Sequence, residues 1–380
     1  MVPAFDHFSP QQIVFGWGRR NEVGRALQPL GRRALLAVAE VDDHLCRSGI
    51  ATCLIARVRR EPLTDDVDAA VAEVRRAGLR DGDFVLGLGG GSAIDLAKAV
   101  AALAPQRETA GVRDYLEGVG RGLKLVAAPL AVAAMPTTGG TGSEATKNAV
   151  ISSHDPPFKK SLRDERLVPR VVVVDPELGV GVPAAVTAAT GMDAITQLIE
   201  AYITRNARPL AQAVCLEGLR LALPAVERAV RDGADRTARE AMAAAALFSG
   251  IALANSGLGL AHGVAAALGV HCGIPHGLAC AVMLPAALQA NRDVAEGALA
   301  RLARYALNLP TLDDAAAADV LIERISDLGR RLEVPSSLGA LRVRREQLPA
   351  LVAGSHGNSL NGNPRPIGDE ELHVILERLL

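Results

Sequence analysis

Short runs of β-branched and other apolar residues recur through the first half of the chain. Between them lie stretches whose apolar positions follow helical spacing. Ile13–Phe15, Ala34–Val38, Phe84–Leu88, Leu125–Ala127, Val132–Met135 and Val171–Val174 predict strands, and Val67–Ala77 and Ile94–Ala102 predict helices. Strands alternating with helices predict a parallel sheet with helices on both faces. The pattern changes after Asp175-Pro176-Glu177-Leu178. From Pro183 onward the periodicity is almost purely helical, and it predicts helices over Asp193–Ile203, Leu210–Val230, Arg236–Leu253, Ala279–Asn291, Val294–Leu307 and Ala315–Leu332. The expected organisation is an α/β domain over 1–180 and an all-α domain over 181–380. Two domains suit 380 residues at roughly 150 residues per domain.

Composition narrows the function classes. The chain carries 41 basic and 42 acidic residues, a net charge of −1, so it presents no broad field for nucleic acid or an anionic membrane. Aromatic residues make up only 3%, which leaves little base-stacking surface. Five cysteines at 46, 53, 215, 272 and 280 are scattered and odd in number, as expected of a protein in a reducing cytosol. Met1–Phe15 lacks the basic and apolar regions of a signal peptide. The Ala-rich runs fall short of the ~20 residues of a membrane span. The expectation is a cytoplasmic enzyme with a small-molecule substrate.

Two glycine-rich segments carry the first candidate chemistry. Gly89-Gly90-Gly91-Ser92 links a predicted strand to a predicted helix that contains Asp95. Glycines admit a ligand close to the backbone, and a helix N-terminus offers its unpaired N–H groups to phosphate. The alternative is a tight turn capped by Ser92. Pro136-Thr137-Thr138-Gly139-Gly140-Thr141-Gly142-Ser143 sets hydroxyls among glycines, which suits phosphate or ribose; the alternative is a loop whose Ser143 caps the next helix. Neither segment has the spacing of a Rossmann or P-loop fingerprint. Glu40 follows the second predicted strand, where an acid binds ribose hydroxyls and repels a 2′-phosphate, favouring NAD over NADP. It reads equally as a solvated loop acid.

The helical half supplies candidate metal ligands. Asp193 and Gln197 are four apart and share a helix face. His262 lies in an apolar stretch, and His276 in Gly273-Ile274-Pro275-His276-Gly277. A carboxylate and two imidazoles can hold a divalent cation that polarises a substrate oxygen; buried histidines of this kind also serve as packing residues. Cys272, His276 and Cys280 repeat at a spacing of four but lack a visible fourth ligand, so packing is the expected role of both cysteines.

Taken together these segments resemble the iron-containing alcohol dehydrogenase family, within the superfamily shared with glycerol dehydrogenase and dehydroquinate synthase. The resemblance runs from Ile13-Val14-Phe15-Gly16-Trp17-Gly18 through Gly89–Lys98, Pro136–Glu144, Asp175–Leu178, Thr190–Ala194, His262 and Pro275–Gly277 to Gly362-Asn363-Pro364-Arg365. It implies a dinucleotide-binding domain followed by a helical domain, with the active site in the cleft between them. Gly89, Gly90, Gly91, Ser92 and Asp95 would bind the cofactor with Thr137, Thr138, Thr141 and Ser143, and Glu40 would read the ribose. Asp193, Gln197, His262 and His276 would fall on the four metal positions, for Fe2+ or Zn2+. It implies a homo-oligomer, a dimer at the least. The expected reaction is NAD-dependent hydride transfer on a small alcohol or aldehyde.

Two positions depart from the family pattern. The fourth ligand is usually histidine, and a neutral amide at Gln197 is a weaker ligand. A second histidine usually follows one turn after the first, and here that position is Ala266. No catalytic proton-transfer group is thereby assigned, and His271 is the nearby candidate. The degraded ligand set also suits a metal-independent reductase of acidic oxo substrates, resembling maleylacetate reductases, for which Lys159, Lys160 and Arg365 are available cations. A lyase resembling dehydroquinate synthase and a non-catalytic NAD-binding protein complete the alternatives.

Overall fold

The computed structural model describes residues 4–38, 49–107 and 110–380. Contacts divide the chain into two units. One comprises residues 8–138 and 142–179. The other comprises residues 180–380 together with 139–141 and the residues preceding Phe8.

The first unit is built on six parallel strands: β1 (Gln12–Phe15), β2 (Arg33–Val38), β3 (Ala51–Arg57), β4 (Asp83–Gly89), β5 (Ala131–Pro136) and β8 (Val171–Val174). Their order across the sheet is β1-β8-β5-β4-β2-β3. β6 (Asn148–His154) and β7 (Pro157–Arg163) form a separate antiparallel hairpin. The sheet is buried on both faces, which is why its strands read as apolar runs. Leu35, Ala37, Val85 and Val132 point to one face and pack with α2 (Thr64–Ala77) and α3 (Gly91–Leu103). The alternate residues Leu36, Phe84, Leu86 and Met135 point to the other and pack with α1 (Val23–Leu27).

The sequence pattern missed β3 because it is an edge strand, exposed at four of seven positions, with a break in its register against β2 between Leu36 and Ala37. Leu125–Ala127 was expected as a strand and is not one. The backbone groups there are satisfied instead by one buried side chain. The Gln106 amide oxygen accepts from the Val126 and Ala127 N–H groups, both at 3.0 Å, and its NH2 donates to the Ala127 carbonyl.

The second unit is helical: α4 (Ala184–Ile203), α5 (Pro209–Arg231), α6 (Arg236–Ser256), α7 (Leu260–Cys272), α8 (His276–Asn291), α9 (Glu296–Leu307), α10 (Asp314–Arg331), α11 (Leu348–Ser355), α12 (Asn358–Asn361) and α13 (Asp369–Glu377). α4 begins nine residues before its expected start, because its first turns carry Thr187, Thr190 and Gly191 among alanines and show no apolar stripe. α7 was not foreseen. It is apolar nearly all round, so it has no amphipathic period to read. α5 is, contrary to expectation, long and apolar enough by length and composition to cross a membrane. Its apolar face is spent in the core instead, where Cys215, Leu219, Ala222 and Val226 pack with residues of α4 and α6.

Close helix–sheet packing in the first unit rests on Gly87 of β4. A Cβ there would stand 2.8 Å from Ile94 Cα, in α3, the helix that follows the glycine-rich segment. The obstacle is backbone, so Gly87→Ala is expected to cost about 1–3 kcal/mol, read as a lower denaturant midpoint at unchanged m-value. An unchanged midpoint would show that β4 and α3 can separate freely.

Candidate metal centre and cofactor loops

The strand order creates the first candidate site, in the α/β unit. From β2 the chain proceeds outward to β3, and from β4 it proceeds the other way to β5. The carboxyl ends of β2 and β4 therefore flank a switch point, where open α/β sheets bind their ligands. Gly89 ends β4 in register with Pro136, the last residue of β5, so the two glycine-rich segments leave neighbouring strands side by side. The Thr137 N–H donates to the Gly89 carbonyl at 3.0 Å. Gly89 has φ +147°, a conformation open to glycine. Gly90 is the N-cap of α3, and no side chain caps that turn. Ser92 lies inside the helix, so the capped-turn alternative does not hold. A Cβ on Gly90 would approach Thr138 Oγ1 to 3.4 Å, so bare backbone faces that threonine. Bare backbone at an uncapped helix N-terminus fits a phosphate group.

Asp95 and Ser143 meet each other, the Ser143 hydroxyl donating to the Asp95 carboxylate. Lys98, fully buried, donates to the Ser143 carbonyl, to Thr146 Oγ1 at 2.8 Å and to the Asn148 carbonyl at 2.9 Å. Burial pushes the Lys98 amine down to about 8 and the neighbouring Glu144 carboxyl up to about 7. This amine pins residues 143–148 to α3. Thr141 belongs to the helical unit, in the segment where Gly140 lies against Thr190. Glu40 lies outside the described residues.

A separate candidate site, in the helical unit, is built on three helices. The axes of α6 and α7 turn by 101° at the Gly257–Gly259 break, which brings His262, in the first turn of α7, over α4. His276 is the first residue of α8. A Cβ on Gly277 would stand 2.6 Å from the Ala189 carbonyl of α4, so glycine lets α8 start in contact with the helix that carries Asp193. As a result His262 Nε2 lies 3.2 Å and His276 Nε2 4.0 Å from Asp193 Oδ1. Ligand atoms of Asp193, His262, His276 and Cys280 all lie within 4.8 Å of one another. Asp193 is 1% and His262 5% exposed, whereas the His276 side chain is 27% exposed and gives the cluster an open side.

Glu200, two turns after Asp193 on α4, organises this cluster. Its carboxylate accepts from the Ala261 N–H at 2.7 Å, from the His262 N–H at 3.3 Å and from His262 Nδ1 at 2.7 Å. One buried acid thus caps α7 and fixes the His262 ring with Nε2 turned toward Asp193. Burial works against a charged His262 ring, but the Cys280 sulfur and the carboxylates of Asp193 and Glu200 together raise its pKa well above the usual range. Burial also disfavours the Asp193 carboxylate, yet the hydrogen bond from His262 and the charges of the two imidazoles hold it down at about 2. Asp193 Oδ2 is buried without a hydrogen-bond partner. A buried carboxylate oxygen lacking a donor is costly, and a cation among these donors removes the cost. The residues therefore fit a divalent metal.

The other expected positions fall differently. Gln197 is buried one turn from Asp193, and its amide oxygen accepts from Ser249 Oγ of α6 at 2.9 Å. His271 is exposed at the last turn of α7, about 14 Å along the helix axis from His262. It is not placed to pass a proton at the cluster, a correction that follows from helix length alone. Lys159 pairs with Glu61 at 2.6 Å, and Arg365 bonds Glu371 and the Ala290 carbonyl. Two of the three cations offered for an acidic substrate, Lys159 and Arg365, are thus engaged in their own units. Glu200 was missed as a site residue, although Asp193, Gln197 and Glu200 at i, i+4 and i+7 form a polar stripe on an otherwise apolar helix. Cys280, expected only to pack, stands beside His276.

Glu200→Gln keeps the side-chain volume but removes the charge that orients His262. It is expected to weaken Zn2+ binding about 10–100-fold in a chelator-competition titration and to lower the melting temperature of the metal-free protein. Affinity equal to the unsubstituted protein would remove Glu200 from the site.

Known proteins supply the remaining evidence. Residues 10–176 match the family model described as iron-containing alcohol dehydrogenase, and residues 187–380 match that of the Fe-containing alcohol dehydrogenase family, C-terminal. The NAD-dependent methanol dehydrogenase of Bacillus methanolicus is 30% identical over 98% of this chain and 99% of its own length. The 1,3-propanediol dehydrogenase of Klebsiella pneumoniae is 33% identical over 98% of each. A crystal structure of 1,3-propanediol oxidoreductase superposes with a TM-score of 0.92 at 31% identity, covering 100% of both chains. A parallel α/β sheet carrying glycine-rich loops, a helical unit carrying an acid–imidazole cluster and matches to two family models over residues 10–176 and 187–380 lead to one conclusion: this chain belongs to the iron-containing alcohol dehydrogenase family and is an oxidoreductase of the alcohol dehydrogenase class.

Proposed function

We propose that this enzyme interconverts a small, uncharged alcohol and its aldehyde or ketone, using NAD(H) and a divalent metal. The observation that carries the reading is the clustering of ligand atoms of Asp193, His262, His276 and Cys280 within 4.8 Å of one another, with Asp193 Oδ2 buried and without a hydrogen-bond partner. When bound, the metal supplies Lewis-acid polarisation of the substrate oxygen and the nicotinamide supplies the hydride chemistry. Asp193, His262 and His276 would hold the metal. Glu200 holds the His262 ring in the orientation that ligation needs. The amides at the start of α3 and the bare backbone at Gly89 and Gly90 would hold the cofactor phosphates, with Thr137 and Thr138 beside them. The partial exposure of His276 leaves a side on which substrate oxygen can approach. The apolar residues and engaged cations of the helical unit support an uncharged substrate over an acidic one. NAD as the cofactor and short alcohols as substrates accord with what two relatives are named for.

The test is NADH oxidation on a panel of small aldehydes with the purified protein, before and after chelation, with metal content measured in parallel. Activity is expected to fall by roughly 100-fold or more on metal removal and to return with added Zn2+ or Fe2+. Asp193→Asn should lose activity to a similar degree in the presence of either metal. Full activity in demonstrably metal-free protein would overturn the metal's role.

A further inference from the structure

The fourth ligand is where the structure departs from the sequence expectation. His276 and Cys280 are four apart in the first turns of α8 and so share a face. Cys280 is fully buried, and its Sγ lies 3.8 Å from His276 Nε2. Tetrahedral zinc, with bonds of about 2.0–2.3 Å, sets its ligand atoms about 3.5 Å apart. The separations found here, 3.2 Å and 4.0 Å between Asp193 Oδ1 and the two imidazole nitrogens and 3.8 Å between sulfur and imidazole, bracket that spacing. Gln197, by contrast, has its oxygen engaged by the Ser249 hydroxyl. An amide is also a poor substitute for imidazole, whereas a thiolate is a strong ligand for a borderline-soft ion.

We propose that Cys280, rather than Gln197, supplies the fourth ligand, giving an Asp193–His262–His276–Cys280 centre that takes Zn2+ in preference to Fe2+. As the sulfur–zinc bond forms, the S–H bond breaks and its proton passes to water; no electron changes hands. Cys280 thereby replaces, from a different helix, the charge-bearing or strongly basic donor that position 197 lacks. The inference rests on the reading that the cluster binds a divalent cation, and the experiment separates the two.

The full-length protein is loaded with one equivalent of Zn2+, its retention is checked by elemental analysis, and the zinc K-edge absorption is measured. One sulfur at about 2.3 Å with nitrogen and oxygen at about 2.0–2.2 Å is expected. Retained zinc with a nitrogen- and oxygen-only shell overturns the role of Cys280 and leaves the metal reading standing. Failure to retain zinc overturns both. In the Co2+-loaded protein a thiolate-to-metal charge-transfer band is expected; it should survive Gln197→Leu and vanish in Cys280→Ser, with Zn2+ affinity falling roughly 100-fold or more in the latter. A band that persists in Cys280→Ser overturns the proposal. If Cys280→Ser fails to fold, the absorption-edge measurement on the unsubstituted protein decides alone.

Discussion

The Glu200 carboxylate is the interaction on which the helical unit's chemistry depends. It is buried, and among the described residues no lysine or arginine pairs with it. Three N–H groups of residues 261 and 262 hold it instead. A carboxylate in that position satisfies the exposed amides at the start of α7 and the ring nitrogen of the same helix. The chain thereby couples helix capping to ring orientation: the geometry that caps α7 also turns His262 Nε2 toward Asp193. Asn363 reinforces the same corner. Its side-chain oxygen accepts from the Leu260 N–H, and it exchanges hydrogen bonds with Asn291 at the end of α8. The Asn363 segment thus ties the ends of the two histidine-bearing helices together.

The electrostatics of the cluster argue for a cation. Asp193 and Glu200 bring two negative charges into a buried site, and the available counterweight is imidazole. Without metal, the His262 ring lies between the two acids, whose charges favour its protonated form. A divalent ion among these donors would balance the two charges more completely and would offset the burial of Asp193 Oδ2 without a hydrogen-bond partner. The glycine loops of the α/β unit follow an opposite logic. There the backbone itself would be the binding group, Gly89 and Gly90 carrying no side chain, and the buried Lys98 amine holds the flanking segment in place by bonding its carbonyls.

The comparison with relatives sharpens the identity of the chain without fixing its substrate. Both halves match one family, and full-length relatives of about one-third identity share the fold. Chemistry specific to this chain resides in a few side chains set on that fold, such as Gln197, Ala266 and Cys280.

The sequence by itself determined the two-part organisation, because apolar runs of buried parallel strands and the stripes of amphipathic helices are local periodicities. It also determined the two glycine segments and three of the clustered donors, since residue types and their order are visible without folding. It did not determine β3, whose exposed edge has no apolar run, nor α7, which is apolar nearly all round. It read Leu125–Ala127 as a strand because hydrophobicity cannot show that Gln106 would take the place of a neighbouring strand. Above all, the meeting of Cys280 with Asp193 and His262 was decided by tertiary structure. Those residues lie 87 and 18 positions from the cysteine, and what unites them is the glycine contact of α8 on α4 and the sharp turn before α7. Which of two candidate donors faces a metal depends on where helices cross, and no spacing within one helix carries that information.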